Sequence, residues 1–479
     1  MQNSRVRMCQ ALLTKQQKLI VVVLVVGALL STLNQTLINP ALPSIMADLG
    51  VSAGRAQYLI SGFTLVNAVV IAISAFLMDR FTTRQLFFAM FGLFLAGSLL
   101  AGWGANFAML LAGRALQAVC AGVMMPLSMT VLLLIFPRDR RGSAMGMYSF
   151  VIMFAPAIGP VVSGVLTDVA GWHVMFLVMA GLAAVTLLFA VFKLDNYGST
   201  KPVELDKVSV LLSSLGLAAL LFGFTELGST DTLMRATVAI AVGAVTLVFF
   251  SLRQLKSDDP FLQIRVLGER QFRMGAVILM LMAASLASIT ATLPIYIQNV
   301  LGHSATISGT VMMPGAIVGA ITGYFAGTLY DKFGARYLSI IGVGLVTLGS
   351  VGLAFFGMET SITFMIVVYC VRSIGLMFGN TPLNIWAIAK LPDNLLNHGN
   401  AVQSTLRQVG SSLGVAIMVA VMTLVTSLSS DLGVKEAQLR GIVAAYWLAV
   451  GIAAISLSLV VINVKDSKVS RADVVSAKP

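Results

Sequence analysis

Charge is what this sequence has least of. Only 10% of its 479 residues are Asp, Glu, Lys or Arg, where water-soluble domains carry about 25%, and 58% are hydrophobic, with a mean hydropathy of +0.94. A soluble globular fold is excluded. Cysteine is nearly absent: Cys9, Cys120 and Cys370 are too few and too scattered for a disulfide framework or a metal site, so they read as free thiols without redox work. No Walker loop, no Cys/His metal cluster and no folded soluble domain stands out, which argues against ATP-driven transport and against an enzyme; no cofactor or metal is expected. Gly410-Ser-Ser412-Leu-Gly414 matches the G-x-S-x-G pattern of hydrolases. It falls inside an apolar run with no histidine, however, not at a strand-to-helix elbow, so its glycines are assigned to helix packing.

What the chain has instead is a succession of apolar runs. A membrane-crossing helix needs about 20 mostly apolar residues, because only a helix satisfies its own backbone polar groups inside hydrocarbon. Runs between polar breaks place spans near 19–39, 57–78, 86–104, 108–135, 142–167, 172–192, 208–226, 233–252, 274–299, 307–330, 337–357, 361–389, 400–426 and 442–463. The N-terminus, with Arg5, Arg7, Lys15 and Lys18 ahead of an apolar run from Leu19, has the charge pattern of a signal peptide. No small-residue cleavage site follows, so it reads as an uncleaved first helix.

An even number of spans puts both termini on one side. Of the 31 Lys and Arg, four (Arg55, Arg235, Lys435, Arg440) fall on the opposite side and two (Arg114, Arg372) inside spans, leaving the rest on the side of the termini. The positive-inside rule makes that side cytoplasmic. The formal charge of +12 therefore requires no nucleic-acid partner: cations in short loops set topology and meet anionic membrane lipid.

The chain also repeats itself. Ala75-Phe-Leu-Met-Asp79-Arg80-Phe-Thr-Thr-Arg84 follows the second span, and Gly327-Thr-Leu-Tyr-Asp331-Lys332-Phe-Gly334-Ala-Arg336 follows the tenth, with the aspartates 252 residues apart. Arg114 in the fourth span and Arg372 in the twelfth are 258 apart, and Gly142-Ser-Ala144 and Gly399-Asn-Ala401 open the fifth and thirteenth spans 257 apart. Six spans with short loops would repeat at roughly 200 residues, so the longer interval leaves room for two further helices between duplicated halves. The expected organisation is a cytoplasmic tail at 1–18, a six-helix bundle at 19–192, a two-helix insert with flanking loops at 193–272, a second six-helix bundle at 273–463 and a cytoplasmic tail at 464–479. Duplicated halves can rock about a central site.

In the repeated loop the glycine permits close helix approach, while the acid can pair with basic groups or with a helix N-terminus. Asp79, Arg80 and Arg84, with Asp331, Lys332 and Arg336, form a candidate latch holding one conformation shut; the plain alternative is a positively charged loop. Arg114 and Arg372 are costly at membrane depth, by about 3 kcal/mol or more, and each should face a wet cavity or a polar partner. In the fifth span Pro156 and Pro160 each remove a backbone donor, and Gly159 and Gly164 leave a smooth face. Gly315, Gly319, Gly323 and Gly327 recur every fourth residue of the tenth, making a continuous groove for another helix.

Together these features resemble the major facilitator superfamily over nearly the whole chain. The repeated loops look like its signature cytoplasmic motif, Leu110-Leu-Ala-Gly-Arg114-Ala-Leu-Gln117 is similar to its fourth-helix motif, and Ala155-Pro156-Ala-Ile-Gly159-Pro160-Val-Val-Ser-Gly164 resembles the fifth-helix motif of exporters. The first copy of the loop departs from the pattern at Ala75 and Thr82. The two extra helices, with Thr32-Leu-Asn34-Gln-Thr-Leu-Ile-Asn39-Pro-Ala-Leu-Pro43 in the first span, look like the fourteen-helix drug:proton antiporters of the QacA and EmrB type, and the asparagine form like their LmrB-like branch. The implied fold is an all-α polytopic membrane protein of six, two and six transmembrane helices in a bacterial cytoplasmic membrane.

The resemblance implies further roles. It links Arg114 to coupling, sets the fifth and tenth helices against each other between the halves, and lines the central cavity with spans one, four, nine and twelve. Substrate-binding candidates are then Asn34, Gln35, Gln117, Tyr296, Gln298, Asn380 and Asn384, with Phe154 nearby on span five. The implied activity is secondary export of amphipathic drugs such as lincosamides or lipophilic cations against a proton; export of an endogenous lipid, peptide or metabolite is the alternative, and a non-transporting sensor a third reading. Nothing indicates an envelope-spanning adaptor. Such antiporters commonly carry an acid in the first span where Asn34 stands, and an amide cannot titrate. Asp168, at the outer end of span five, Asp79 or another group would then carry the proton, with Arg114 and Arg372 as further coupling candidates.

Overall fold

The computed structural model describes residues 14–51, 53–137, 140–197, 206–226, 233–257, 260–429, 431 and 433–465. Among them are fourteen long α-helices: α1 Lys15–Leu49, α2 Ala53–Arg80, α3 Thr83–Gly102, α4 Phe107–Ile135, α5 Arg141–Ala170, α6 Trp172–Lys193, α7 Lys207–Glu226, α8 Leu233–Lys256, α9 Arg270–Ile295, α10 Ala305–Phe333, α11 Arg336–Ala354, α12 Ile362–Ile388, α13 Leu396–Leu428 and α14 Val434–Asn463. Thirteen are long and apolar enough to cross a membrane; within α5, only Val161–Ala170 stands out as a shorter apolar stretch. A π-helical turn, Tyr296–Val300, extends α9. The tails before residue 14 and after 465 lie outside the described residues.

Local chemistry sets the ends. Thr14 and Thr82 each form a capping box with a glutamine three residues on, starting α1 and α3, and Asn106, Ser304 and Ser361 accept the orphan amides of α4, α10 and α12. The two loop copies differ for this reason: Gly334 ends α10 at φ 78°, a conformation open to glycine, whereas Thr82 is an extended N-cap. The first span runs past its expected end at residue 39. Pro40 and Pro43 stay within α1, which stops only at Gly50 in the left-handed region.

Helix pairing recurs at the repeat interval. α1 packs on α5, α2 and α3 on α4, and α3 on α6; α9 packs on α13, α10 and α11 on α12, and α11 on α14. Between these sets α5 meets α10 and α2 meets α13. α7 leans on α2 and α13, joined through Ala68, Leu221, Phe224 and Ala416, and α8 packs on α7 with an apolar outer face of Val238, Val242, Val245, Val248 and Phe249. Asp206 caps α7 by accepting from the Val208 and Ser209 amides and ties it to α8 through Arg253, 2.9 Å away. That guanidinium holds the Asp206 carboxyl down at about 2.

Sorting the cations by loop misplaces one of them. Arg407 is not at the face of the termini but eleven residues inside α13, about 16 Å along its axis at 1.5 Å per residue. Three arginines, not two, therefore sit at depth.

Candidate functional site

Arg114, seven residues after the first residue of α4, is 1% exposed. Its Nη1 donates to the Asn34 carbonyl of α1 at 3.1 Å and to Gln117 Oε1 at 3.2 Å, and its Nε to the Leu59 carbonyl of α2 at 3.5 Å. The Phe63 ring lies under the guanidinium, 4.3 Å from Cζ to centroid, which favours a desolvated cation by about 2 kcal/mol. Gln117 is held in turn by donating to Ser98 Oγ at 2.8 Å. No carboxylate among the described residues stands within ion-pair distance. The Asn34 side chain, 1% exposed, leaves both its amide nitrogen and its oxygen without a partner.

The second half repeats the arrangement. Arg372 of α12, also 1% exposed, donates from Nη2 to the Ser285 carbonyl of α9 at 2.6 Å and to Ser285 Oγ at 2.8 Å. Ser285 stands 251 residues after Asn34, so each half ties its fourth helix to a carbonyl of its first. A buried carbonyl with a free lone pair is the acceptor a membrane helix always has, which explains how both cations survive at depth without acids.

At the face of the termini, the two loop aspartates cross between the halves. Asp331, at the end of α10, accepts the Gly142 and Ser143 amides at 2.8 Å each and the Ser143 hydroxyl at 2.6 Å, so a carboxylate caps the N-terminus of α5. Asp79, at the end of α2, accepts from Asn397 Nδ2 at 2.6 Å and His398 Nε2 at 2.9 Å in the first turn of α13. The Gln263 amide donates to His398 Nδ1 at 3.2 Å, which fixes the imidazole proton on Nε2. Arg141 pairs with Asp393 at 3.2 Å. Arg84 instead holds the end of α6 through the Val191 carbonyl at 3.1 Å, and Lys332 is exposed. Arg80 and Arg336 also have partners.

Just inward of this layer lies a polar belt. Thr381 donates to Ser149 at 3.0 Å and Asn400 to Thr130 at 2.8 Å, again across the halves, and Gln403 bonds Asn384, which bonds Asn380. Asn400, Gln403, Arg407 and Ser411 follow at i, i+3, i+7 and i+11, one face of α13. The belt was missed from the sequence except at Asn380 and Asn384, although that spacing of polar residues inside an apolar run was readable.

The glycine surfaces divide. A methyl on Gly327 would overlap the backbone of Gly146, one on Gly323 would lie 3.2 Å from Ser149 Cβ, and one on Gly319 3.5 Å from Met153 Cε; Gly315 faces Tyr369 of α12. α5 and α10 thus touch at the face of the termini and separate away from it, and Val161, Val165 and Val169 beyond the contact are exposed. Gly159 faces Thr36 of α1 and Gly164 has open space, so neither lies against α10; the divergence of the helices is the reason. α5 is helical through 156 and 160, where the proline side chains lie outside the described residues.

Other candidates are scattered. Tyr296 is fully buried against Phe356 and bonds the Gly357 carbonyl at 2.6 Å, while Gln298 is exposed and bonds Ser308 at 3.2 Å. Gln35 and Asp168 are exposed, and Phe154 is half-buried, stacked on Phe150 at 5.6 Å. Among the described residues no cluster of His, Cys, Asp and Glu could hold a metal ion.

A family model described as Major Facilitator Superfamily matches residues 24–415. An uncharacterized MFS-type transporter, YcnB, of Bacillus subtilis (strain 168) is 37% identical over 444 residues, 92% of this chain and 94% of that protein. A lincomycin resistance protein, LmrB, of Listeria monocytogenes serovar 1/2a is 32% identical over 391 residues, 81% of this chain and 83% of that protein. The crystal structure of the human organic anion transporter MFSD10 (TETRAN) shares the fold with a TM-score of 0.70 at 14% identity, over 93% of this chain and 100% of that one.

Proposed function

The chain belongs to the Major Facilitator Superfamily, and from that premise we propose that it is a secondary exporter of small amphipathic molecules, drugs among them, working by alternating access. In this reading all fourteen helices span a bacterial cytoplasmic membrane as six, two and six, and the face of the termini is cytoplasmic. The observation that carries it is the pairing of a double latch at one face with separation at the other: Asp331 and Asp79 bind across the halves, while the far ends of α5 and α10 part. This is the outward-facing member of a two-state pair, and breaking the latches would close the outer side by rocking.

Export of drugs is supported by the 32% identity to a lincomycin resistance protein and by the exporter-like segment in α5. Asn34, Asn380 and Asn384 are the proposed contacts of the passage, while Gln117, 0% exposed and bonded to Ser98 of α3, positions Arg114. The energy source in this reading is a proton. With Asn34 in place of an acid, the titrating groups proposed are those of the latch, Asp79 with His398, and Asp168 at the outer rim.

The test is accumulation of a panel of anionic, neutral and cationic drugs, lincomycin and ethidium among them, in cells expressing the protein, with and without a protonophore. Lower accumulation that the protonophore reverses is the expected result. Accumulation unchanged across a broad drug panel moves the assignment to export of an endogenous metabolite, and loss of the effect only without a metabolic ATP supply removes proton coupling. Drug-driven proton flux that persists in a D168N/D79N double variant excludes those two carboxylates.

A further inference from the structure

The interior of this protein is positively charged without compensation. Arg114, Arg372 and Arg407 lie deep in α4, α12 and α13, whereas among the described residues no Asp or Glu lies more than three residues inside a helix end. Arg114 and Arg372 are nevertheless provided for: each donates to a carbonyl and to a neighbouring side chain. Arg407 is not. It is half-buried, and among the described residues no hydrogen bond or ion pair holds its guanidinium.

Its position is specific. Arg407 sits one turn outward of Gln403 on the polar face of α13, above the layer where Asn400–Thr130 and Thr381–Ser149 join the halves. Across the interface stands Tyr148 of α5, close enough to interact with it electrostatically, its hydroxyl already donated to the Met125 carbonyl at 3.2 Å. The half-buried guanidinium is thus at the interface between the halves, one turn beyond the polar belt that joins them. An arginine at membrane depth persists where it faces a cavity and a partner, and five fixed donors with no acceptor suit a carboxylate, phosphate or sulfonate.

We propose that Arg407 anchors an anionic group of the transported molecule, so that the passage selects amphipathic organic anions over lipophilic cations. A cation at the same place would meet a like charge, with no acid among the described residues beside it. The assignment deepens the export reading and rests on it for the direction of travel, while the binding site stands separately.

A matched dye pair tests it: carboxyfluorescein, an anion, and rhodamine 123, a cationic ester on the same xanthene skeleton. Binding to the purified protein in phosphatidylcholine nanodiscs is read by fluorescence anisotropy. Carboxyfluorescein should bind more tightly than rhodamine 123, and R407Q should weaken it roughly tenfold or more, the loss expected for a charge-assisted bidentate contact, with R407K retaining part. Thermal unfolding of empty R407Q should be no lower than that of the parent, since an unpaired cation is removed; a lower value points to a structural arginine and overturns the proposal. So does binding without anion preference, or equal weakening of both dyes. Anisotropy lost when phosphatidylglycerol is added identifies a lipid headgroup as the occupant and also overturns it. Anion-selective binding without efflux from dye-loaded cells retains this site and removes the export reading; efflux of rhodamine 123 alone does the reverse.

Discussion

Replacing Asp331 by asparagine should release the face of the termini. Its carboxylate takes two backbone amides and one hydroxyl from the first turn of α5 at 2.6–2.8 Å. Hydrogen bonds to a charged group contribute about 1.5–3 kcal/mol each, and a negative charge at a helix N-terminus adds about 0.3–1 kcal/mol. Asparagine keeps one acceptor oxygen, turns an NH2 toward a donor and loses the charge. Asp331 is half-buried, and discounting for solvent leaves a net loss of about 2 kcal/mol, roughly a 30-fold shift from closed toward open at this face. S143A removes one of the three donors, and about 1 kcal/mol predicts a shift of about fivefold. The measurement is electron–electron spin-label distance between Phe192 and Tyr337, both exposed near this face on opposite halves, in a variant lacking the three native cysteines. A longer distance should be minor in S143A and dominant in D331N. Equal distance distributions in all three proteins, or a larger effect from S143A, would refute the latch.

Three further outcomes follow from the same geometry. G327L places a side chain against the Gly146 backbone, and overpacking of about 1–3 kcal/mol should likewise open this face, seen as faster alkylation of a cysteine introduced at Ser149. N34D puts a carboxyl where both amide atoms lack partners and beside the carbonyl that holds Arg114; the pH profile of transport should gain a step beyond those of the parent, and an unchanged profile counts against Asn34 facing the passage. Asp206, held at about 2 by Arg253, lies below its unfolded value of about 3.9. The stability that this tie contributes is therefore complete above that value and lost as pH falls toward 2, so hydrogen exchange at the start of α7 should be flat, after correction for intrinsic rates, between pH 5 and 9 and should rise across that whole range in D206N.

Helices were legible in this sequence because hydrocarbon permits little else: an apolar run of adequate length has one way to satisfy its backbone. Their ends were less so. Pro40 and Pro43 look like a stop, yet α1 continues through them, since a membrane helix has no water to take over the freed groups and gains by continuing. The aspartates at 79 and 331 were visible as a repeated pair, but their partners are on the other half, 188 residues away for Ser143 and 318 for Asn397, and local spacing carries no such information. Arg407 falls inside the thirteenth apolar run, 400–426, where Asn400, Gln403 and Ser404 before it give the start of the run the polarity of a loop. Gly159 and Gly164 illustrate a different limit: small residues announce that a helix is smooth without saying which neighbour uses the face or whether any does.

The pair α7 and α8 packs on one seam between the halves and gives the molecule a front and a back. One seam between the halves, where α2 meets α13, is roofed by α7 through Leu221 and Phe224; among the described residues no helix covers the other, between α5 and α10, in that way, and its stretch away from the face of the termini leaves Val161, Val165 and Val169 exposed. In the export reading proposed above, a compound dissolved in the lipid would meet a wall on one flank and a partly open seam on the other, which gives the molecule a preferred side of approach.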